Sequence, residues 1–308
     1  MIWSGVMPAM TTPFDNKLAV DHRFLAQHAA WLLGNGCIGL VMLGSLGEGA
    51  TLENHEKIDI LKTAVRVAGD KAPVVAAISS LSTANAVRLA KEAEQAGCQA
   101  LMVLPPYVYT SDWREMKNHV ANIIRATGLS CMLYNNPVAY KTDFLPTEIA
   151  ELAAEHANLH AVKESSADVR RLSAIRELLG DRLDIFVGVD DLLVEGVNAG
   201  AKGWVAGLVN AYPAESVELF NLAQAGKREE AFKLYRWFLP LLRMDTVPKF
   251  VQLIKWVQEQ AGAGSARVRA PRMELVGEEL EIAQTTLQAA LANRPRIKEL
   301  PLSSFSGI

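Results

Sequence analysis

Four polar segments of this sequence combine residue types that can perform covalent chemistry on a carbonyl compound. They are residues 44–48 (GSLGE), 134–137 (YNNP), 163–165 (KES) and 188–191 (GVDD). Each segment follows a short apolar run, which is where a buried strand would end. A lysine amine, a phenol, two serine hydroxyls and four carboxylates would therefore meet if the ends of these strands meet.

Lys163 is the residue in these segments that is best suited to nucleophilic chemistry. It directly follows His160, Ala161 and Val162, so we expect its side chain at the mouth of the protein interior, where loss of hydration lowers the pKa of an amine. A neutral amine can attack a ketone and form a Schiff base. The alternative is that Lys163 merely ends a strand and extends its ammonium group to water.

The other segments each allow a chemical role and a structural role. Tyr134 could shuttle protons beside a lysine, or it could pack as a strand-end aromatic. In GSLGE, the backbone N–H groups and the Ser45 hydroxyl could bind a carboxylate, or the glycines could serve the turn alone. Asp190 and Asp191 suit the start of a helix or a metal site, but no histidine or third acid lies nearby at ligand spacing. We therefore expect no metal.

A repeated unit predicts the elements that position these segments. A helical pattern ends at glycine and an apolar run follows, in residues 36–43, 97–104 and 200–206. Glycine at a helix C-terminus turns the chain into the next strand, and continuous apolarity is typical of parallel strands buried on both faces. The other apolar runs are residues 6–10, 73–78, 130–134, 160–163 and 185–187. Eight strands alternating with amphipathic helices predict an α/β fold, a (β/α)8 TIM barrel, rather than an open doubly wound sheet.

The strand pattern stops after about residue 210, and only helical patterns follow. We expect the barrel in residues 1–225, a C-terminal helical extension in residues 226–293 and a tail containing proline and serine in residues 294–308. The active site of a TIM barrel lies at the carboxyl ends of its strands. The four polar segments fall at that end.

Composition argues against several kinds of partner. The chain has 308 residues and a formal net charge of -3, without the basic excess that favours nucleic acid or an anionic membrane. Cys37, Cys98 and Cys131 lie in apolar runs without CxxC spacing, which argues against a disulfide or zinc framework. The sequence shows no signal-peptide pattern and no apolar run long enough to span a membrane. We expect a cytoplasmic protein that acts on a small molecule.

Taken together, GSLGE, YNNP and KES occur in an order that resembles the dihydrodipicolinate synthase and N-acetylneuraminate lyase family of class I, Schiff-base aldolases. The resemblance implies that Lys163 forms the Schiff base with a 2-keto acid and that Tyr134 shuttles protons. It implies that no metal or organic cofactor is required and that the protein is a homotetramer or homodimer. The substrate-binding positions that it implies are Ser45, which is also catalytic, the Leu46 N–H, Gly188 and Val205.

Departures from the family pattern bear on the substrate. Ala139 stands where dihydrodipicolinate synthases carry an arginine for the second substrate's carboxylate. Val108 takes the place of a tyrosine in a proton relay between subunits, and Leu46 replaces a hydroxyl residue. Asn136, Ala139 and Tyr140 are candidate substrate contacts. The bulkier residues around the mouth, Asn136, Tyr140 and Lys141, indicate a different 2-keto acid or a cyclic-imine acid.

Several reactions fit such a site. A hydroxy-keto acid could be cleaved to pyruvate by an aldolase, a deoxy sugar acid could be dehydrated, or 1-pyrroline-4-hydroxy-2-carboxylate could be deaminated. Dihydrodipicolinate synthase activity proper is an alternative, and so is a barrel that binds a keto acid without turnover. A phosphate-sugar isomerase would need a glycine-rich phosphate loop, of which residues 207–210 (GLVN) are a poor version.

Overall fold

Eight parallel strands form a closed barrel. The computed structural model describes residues 3–107, 109 and 111–307. The strands are β1 (Gly5–Pro8), β2 (Leu40–Met42), β3 (Val74–Ile78), β4 (Ala100–Val103), β5 (Ser130–Asn135), β6 (Leu159–Glu164), β7 (Asp184–Val187) and β8 (Gly203–Ala206). Their order in the sheet is β1-β8-β7-β6-β5-β4-β3-β2, and a parallel bridge between Ala9 and Val41 closes the circle. The predicted TIM barrel is confirmed.

Helices connect the strands and form the outer layer. They are α1 (His22–Gly34), α2 (Asn54–Ala68), α3 (Thr83–Gln95), α4 (Trp113–Arg125), α5 (Pro137–Tyr140), α6 (Pro146–Glu155), α7 (Arg170–Leu179), α8 (Leu193–Asn198) and α9 (Pro213–Gln224). Asp21, Ser82 and Asp112 cap α1, α3 and α4 by accepting hydrogen bonds from backbone N–H groups, which satisfies donors that a helix start leaves unpaired. The short helix α5 begins at Pro137, the last residue of the YNNP segment, where the sequence pattern did not predict a helix.

The core lies within the barrel and between the strands and helices. Every residue of β3 and β4 is buried, as expected for parallel strands covered on both faces. Gly36 and Gly97 have φ angles of 96° and 93°, so the predicted glycine turns between helix and strand are present. A residue with a Cβ would be strained in this left-handed conformation.

The C-terminal part of the chain packs against the barrel as helices. It contains α10 (Arg228–Leu242), α11 (Phe250–Gln260) and α12 (Gly277–Leu291). The segment after α12 lies against α1, where Trp31 Nε1 donates a 2.6 Å hydrogen bond to Leu300 O. Arg294 also forms an ion pair with the buried Glu215 at 2.6 Å. Among the described residues, no helix has the length and apolarity needed to cross a membrane.

Candidate active site

The register of two strands brings Lys163 and Tyr134 side by side. The two residues are direct partners in the β5–β6 pair, so their side chains leave the sheet on the same face. Lys163 Nζ lies 4.3 Å from the centroid of the Tyr134 ring. Both side chains are buried, with 6% and 5% of their surface exposed. The predicted nucleophile and the predicted proton carrier therefore occupy one buried position at the carboxyl end of the barrel.

Burial changes the protonation of Lys163. Loss of hydration lowers the pKa of its amine to about 8, while the carboxylates of Asp245 and Asp190 act in the opposite direction. An ordinary lysine has a pKa of about 10.4, so about one amine in several thousand is neutral at pH 7. With a pKa of about 8, about one in ten is neutral at that pH. The environment thus raises the neutral, nucleophilic fraction of the amine at neutral pH.

The Tyr134 phenol is held by a polar group from the next loop. Asn136 Nδ2 donates a 2.9 Å hydrogen bond to Tyr134 Oη, while Asn136 Oδ1 accepts one from the Ala139 N–H and caps α5. Burial raises the pKa of Tyr134 to about 12, partly offset by contacts with Asn136, Ser165 and Ser45. Asn136 therefore orients the phenol, in addition to lying at the mouth where a substrate contact was predicted.

Tyr140 lies against the hydroxyl of the GSLGE loop. Its Oη and Ser45 Oγ share a hydrogen bond. The Tyr140 ring packs between Tyr107 and Tyr134, with centroid separations of 5.4 Å and 5.9 Å. Helix α5 supplies this phenol from the same chain. Val108, at which the sequence departs from the family's relay between subunits, lies outside the described residues.

The remaining predicted pocket residues lie on different parts of the mouth. Lys163 and Gly203 are both register partners of Phe186, so these positions lie on one face of the sheet. Val205 is two residues beyond Gly203 and therefore lies on the same face as Lys163. Leu46 is buried in the GSLGE loop. Ala139 is exposed and lines a cavity of about 430 Å³ that also includes Gly188 and Asn136.

The backbone of Gly188 lies directly against the lysine side chain. A Cβ at this position would lie 2.6 Å from Lys163 Cε and 1.9 Å from Ser165 Oγ. Both distances are shorter than van der Waals contact, so any larger residue would displace the lysine or the serine.

We expect Gly188→Ala to lower the rate of covalent adduct formation at Lys163 by about 100-fold, because a displacement of about 1 Å at a reacting centre has effects of that size. The measurement is the rate of reductive trapping with pyruvate and borohydride. Gly128→Ala is the matched control, since a Cβ there would meet only Glu94 Oε1 at 3.9 Å. Equal trapping rates for the two variants would contradict this prediction.

Glu48 has a structural partner that sequence reasoning missed. It is fully buried with a φ angle of 53°, and its Oε1 forms a 2.8 Å ion pair with Lys255 Nζ of α11. Its Oε2 accepts a hydrogen bond from the Arg269 N–H at 3.0 Å. The C-terminal extension thus holds the loop that carries Ser45. Positions so far apart along the chain give no local sequence signal.

The two acids after β7 also have defined surroundings. Asp190 is buried and accepts hydrogen bonds from Trp204 Nε1 and from the backbone N–H groups of Gly207 and Leu208. Asp191 lies 3.6 Å from Arg243. No group of three or more His, Cys, Asp or Glu residues within the described ranges could hold a metal ion. Asp190 anchors the turn after β8 to the turn after β7.

A third acid, Asp245, was not predicted as part of the site. It follows α10 in a short 3₁₀ helix, Arg243–Asp245, and lines the same cavity as Asn136 and Gly188. The apolar residues before it belong to helix α10 and not to a strand, so the strand-end rule that identified the other polar residues did not apply to it.

Comparison with known proteins shows similarity over nearly the whole chain. A model of the Dihydrodipicolinate synthetase family matches residues 2–290. The chain belongs to this family. The dihydrodipicolinate synthetase family match includes the entire barrel and the C-terminal helices through most of α12.

Individual family members show the same extent of similarity. A 4-hydroxy-tetrahydrodipicolinate synthase of Desulforamulus reducens is 29% identical over 282 residues, which are 92% of this chain and 95% of that protein. The enzyme of the same name from Alkalilimnicola ehrlichii is 30% identical over 294 residues, 94% of this chain and 99% of that protein. The structure of the synthase from Methylacidiphilum fumariolicum SolV has a TM-score of 0.91 at 27% identity and covers 94% of this chain and 97% of that one.

Membership in the dihydrodipicolinate synthetase family confirms the family predicted from the three motifs. It also confirms the prediction that the protein is a lyase of the class I aldolase type. The roles of individual residues stay predictions.

Proposed function

We propose that Lys163 forms a Schiff base with pyruvate or another 2-keto acid and that the protein uses this imine in a lyase reaction. The observation that carries the proposal is the pairing of Lys163 with Tyr134, in which a buried amine of lowered pKa lies against a buried phenol. The imine serves as an electron sink, so a bond one carbon away can break or form through an enamine. The reaction is that of an aldolase, dehydratase or deaminase.

The other site residues would bind the keto acid and move protons. Ser45 Oγ and the Leu46 N–H would bind its carboxylate, while Gly188 and Val205 would line the pocket beside it. Tyr134 would give a proton to the hydroxyl that leaves as water when the carbinolamine becomes the imine. Tyr140, hydrogen-bonded to Ser45, would continue this proton path within one chain.

Relatives named 4-hydroxy-tetrahydrodipicolinate synthase make that activity the second candidate. Two observations count against it. Ala139 cannot pair with the carboxylate of a second substrate. In addition, the residues that line the cavity all lie in the described part of the chain, and none of them is Lys or Arg. We favour a different 2-keto or cyclic-imine acid. We also propose a homotetramer or homodimer located in the cytoplasm.

Covalent trapping tests the proposed function. Incubation with pyruvate and borohydride should add a reduced pyruvyl group to the peptide that contains Lys163, as read by mass spectrometry after digestion. The absence of an adduct with pyruvate and with every other keto acid offered would refute the proposal. An adduct without product from any substrate would indicate a barrel that binds keto acids without turnover.

The pH dependence of trapping provides a further prediction. Because the pKa of Lys163 is lowered to about 8, the neutral amine is scarce below that pH and dominates above it. The trapping rate should rise about tenfold for each pH unit between pH 6 and pH 7.5 and become level above about pH 8.5. The measurement is the initial rate of adduct formation at fixed pyruvate. A rate that continues to rise through pH 10 would indicate an ordinary lysine.

A further inference from the structure

Asp245 is a carboxyl group that the C-terminal extension inserts at the mouth of the barrel. Its side chain lies over the backbone that follows β8, where a Cβ on Gly207 would be 2.2 Å from Asp245 Oδ1. Only glycine leaves room for the carboxyl group there. The fold therefore fixes the Asp245 side chain against the backbone after β8, so it does not move freely as a surface acid would.

The hydrogen bonding of Asp245 differs from that of its neighbour Asp190. Asp190 accepts from three N–H donors, so its oxygens are occupied by the fold. Asp245 Oδ1 is buried and has no hydrogen-bond partner among the described residues. A buried polar atom without a partner is destabilising, and functional sites are where such atoms persist. Its hydrogen bonds give Asp190 a structural role, whereas no hydrogen bond gives Asp245 Oδ1 such a role.

The cavity beside Asp245 has the chemistry of a site for a hydroxylated substrate. Asp245 lines it together with the polar side chains of Asn136, Ser165 and Thr246. Gly188, whose backbone lies against the Lys163 side chain, also lines this cavity. A keto acid joined to Lys163 would extend its third and fourth carbons from the lysine toward this space. With no Lys or Arg in the lining, a hydroxyl group fits better there than a second carboxylate.

We propose that Asp245 is the acid that protonates a departing hydroxyl group on C4 of a 2-keto acid held as an imine on Lys163, so that the reaction is a loss of water. The inference rests on the proposed Schiff base. It makes Asp245 a catalytic residue and selects elimination over C–C bond cleavage.

The step balances in atoms and electrons. Tyr134, left as a phenolate after giving its proton to the water lost on imine formation, takes a proton from C3 of the imine. The electron pair of that C–H bond forms the enamine and then the C3–C4 double bond as the C4–O bond breaks. The carboxyl proton of Asp245 passes to the departing oxygen, which leaves as water. Solvent reprotonates Asp245, and water hydrolyses the unsaturated imine to free Lys163.

The electrostatic surroundings of Asp245 support its role as a proton donor. Burial raises the pKa of its carboxyl group well above the ordinary value, the negative charges of Asp190 and Asp191 act in the same direction, and Lys163 opposes them. Tyr134 also faces it from β5. Since the acid form is lost as pH rises through the raised pKa, the rate of water loss should fall on the alkaline side.

The experiment compares two activities in Asp245→Asn. Because Asp245 influences the pKa of Lys163, pyruvate trapping is compared at about pH 9, where the amine is mostly neutral in both proteins. It should stay within about twofold of the unmodified protein there, which also shows that the variant folds. Water loss from 2-oxo-3-deoxypentonate and from 1-pyrroline-4-hydroxy-2-carboxylate, both with a C4 hydroxyl, should fall about 10²–10⁴-fold, the usual contribution of a general acid. The alkaline decrease in rate should also disappear. Asp245→Glu should restore part of the rate, because it restores the carboxyl proton.

Asp181→Asn is the control, since it removes an exposed acid that precedes β7 at the opposite end of the barrel; it should retain water loss. Three results would overturn the inference while leaving the Schiff base intact. The first is full water loss by Asp245→Asn, and the second is an equal decrease in its trapping and its turnover. The third is that the unmodified protein traps keto acids at Lys163 but, with the hydroxylated substrates, either releases pyruvate and an aldehyde or forms no elimination product. Failure of the unmodified protein to trap any keto acid would instead refute the proposed function, and this inference with it.

Discussion

Lys163→Met should abolish covalent trapping of pyruvate and reduce turnover at least about 10⁴-fold, the scale of effect seen when a covalent nucleophile is removed. Methionine has a similar length but no amine, so it can fill the position beside Tyr134 and cannot form an imine. The fold should remain, because the substitution removes a buried charge that lacks a direct ion pair in the described structure and keeps most of the packing volume. Reductive trapping with mass spectrometry and a thermal unfolding curve measure the two effects.

The control for this prediction is a lysine in the same barrel that lies at its other end. Lys202 precedes β8 and pairs with Asp184 at 2.9 Å, far along the strand from the site. Lys202→Met should retain trapping at the normal rate. If Lys163→Met still forms the adduct, the nucleophile is another lysine and the proposed assignment is wrong.

Lys255→Met should lower the free energy of unfolding by about 3 kcal/mol, the low end of the range for breaking a buried ion pair by removal of one partner. Lys255 and Glu48 are 2% and 0% exposed, so Glu48 would be left buried without its nearest cation. We expect the low end because the Arg269 N–H continues to donate to Glu48 Oε2. Chemical denaturation measures the change. The GSLGE loop should also lose its fixed position, and carboxylate binding by Ser45 should weaken.

A double-mutant cycle separates the ion pair from simple loss of packing. Glu48→Gln combined with Lys255→Met should recover part of the stability, because no buried charge then lacks a partner. The pair of Lys249 and Glu279 is the matched surface control, since its side chains are 51% and 31% exposed. Lys249→Met should leave the unfolding transition almost unchanged. Additive effects at Glu48 and Lys255 would show that the pair does not act as a unit.

Most of the barrel could be predicted because its signals are local. The strands β2, β4 and β8 are short apolar runs between a glycine turn and a polar segment, and the Gly97 unit shows all three parts within a few residues. Helix starts are also marked locally, because side chains such as Asp112 at α4 accept hydrogen bonds from backbone N–H groups. The short helix α5 was missed because four residues are too few to show helical periodicity.

The register beside Lys163 could not be predicted. Cys131 pairs with Leu159, but the next residue, Met132, pairs with Ala161, so β6 carries one extra residue at this point. Without that irregularity Tyr134 would be the partner of Val162, because a one-residue slip in register turns every later side chain to the other face. An isolated sequence of apolar residues does not encode such a shift.

The sequence by itself determined the barrel, the family and the strand ends at which Lys163, Tyr134 and Ser45 stand, since these depend on patterns within a few residues. Only the tertiary structure decided the contacts of Tyr140 with Ser45, of Lys255 with Glu48 and of Asp245 with the cavity. Glu48 and Lys255 are 207 positions apart, and their contact depends on how α11 packs against the barrel. Such long-range packing is set by the summed shape and burial of many residues, so no local motif records it.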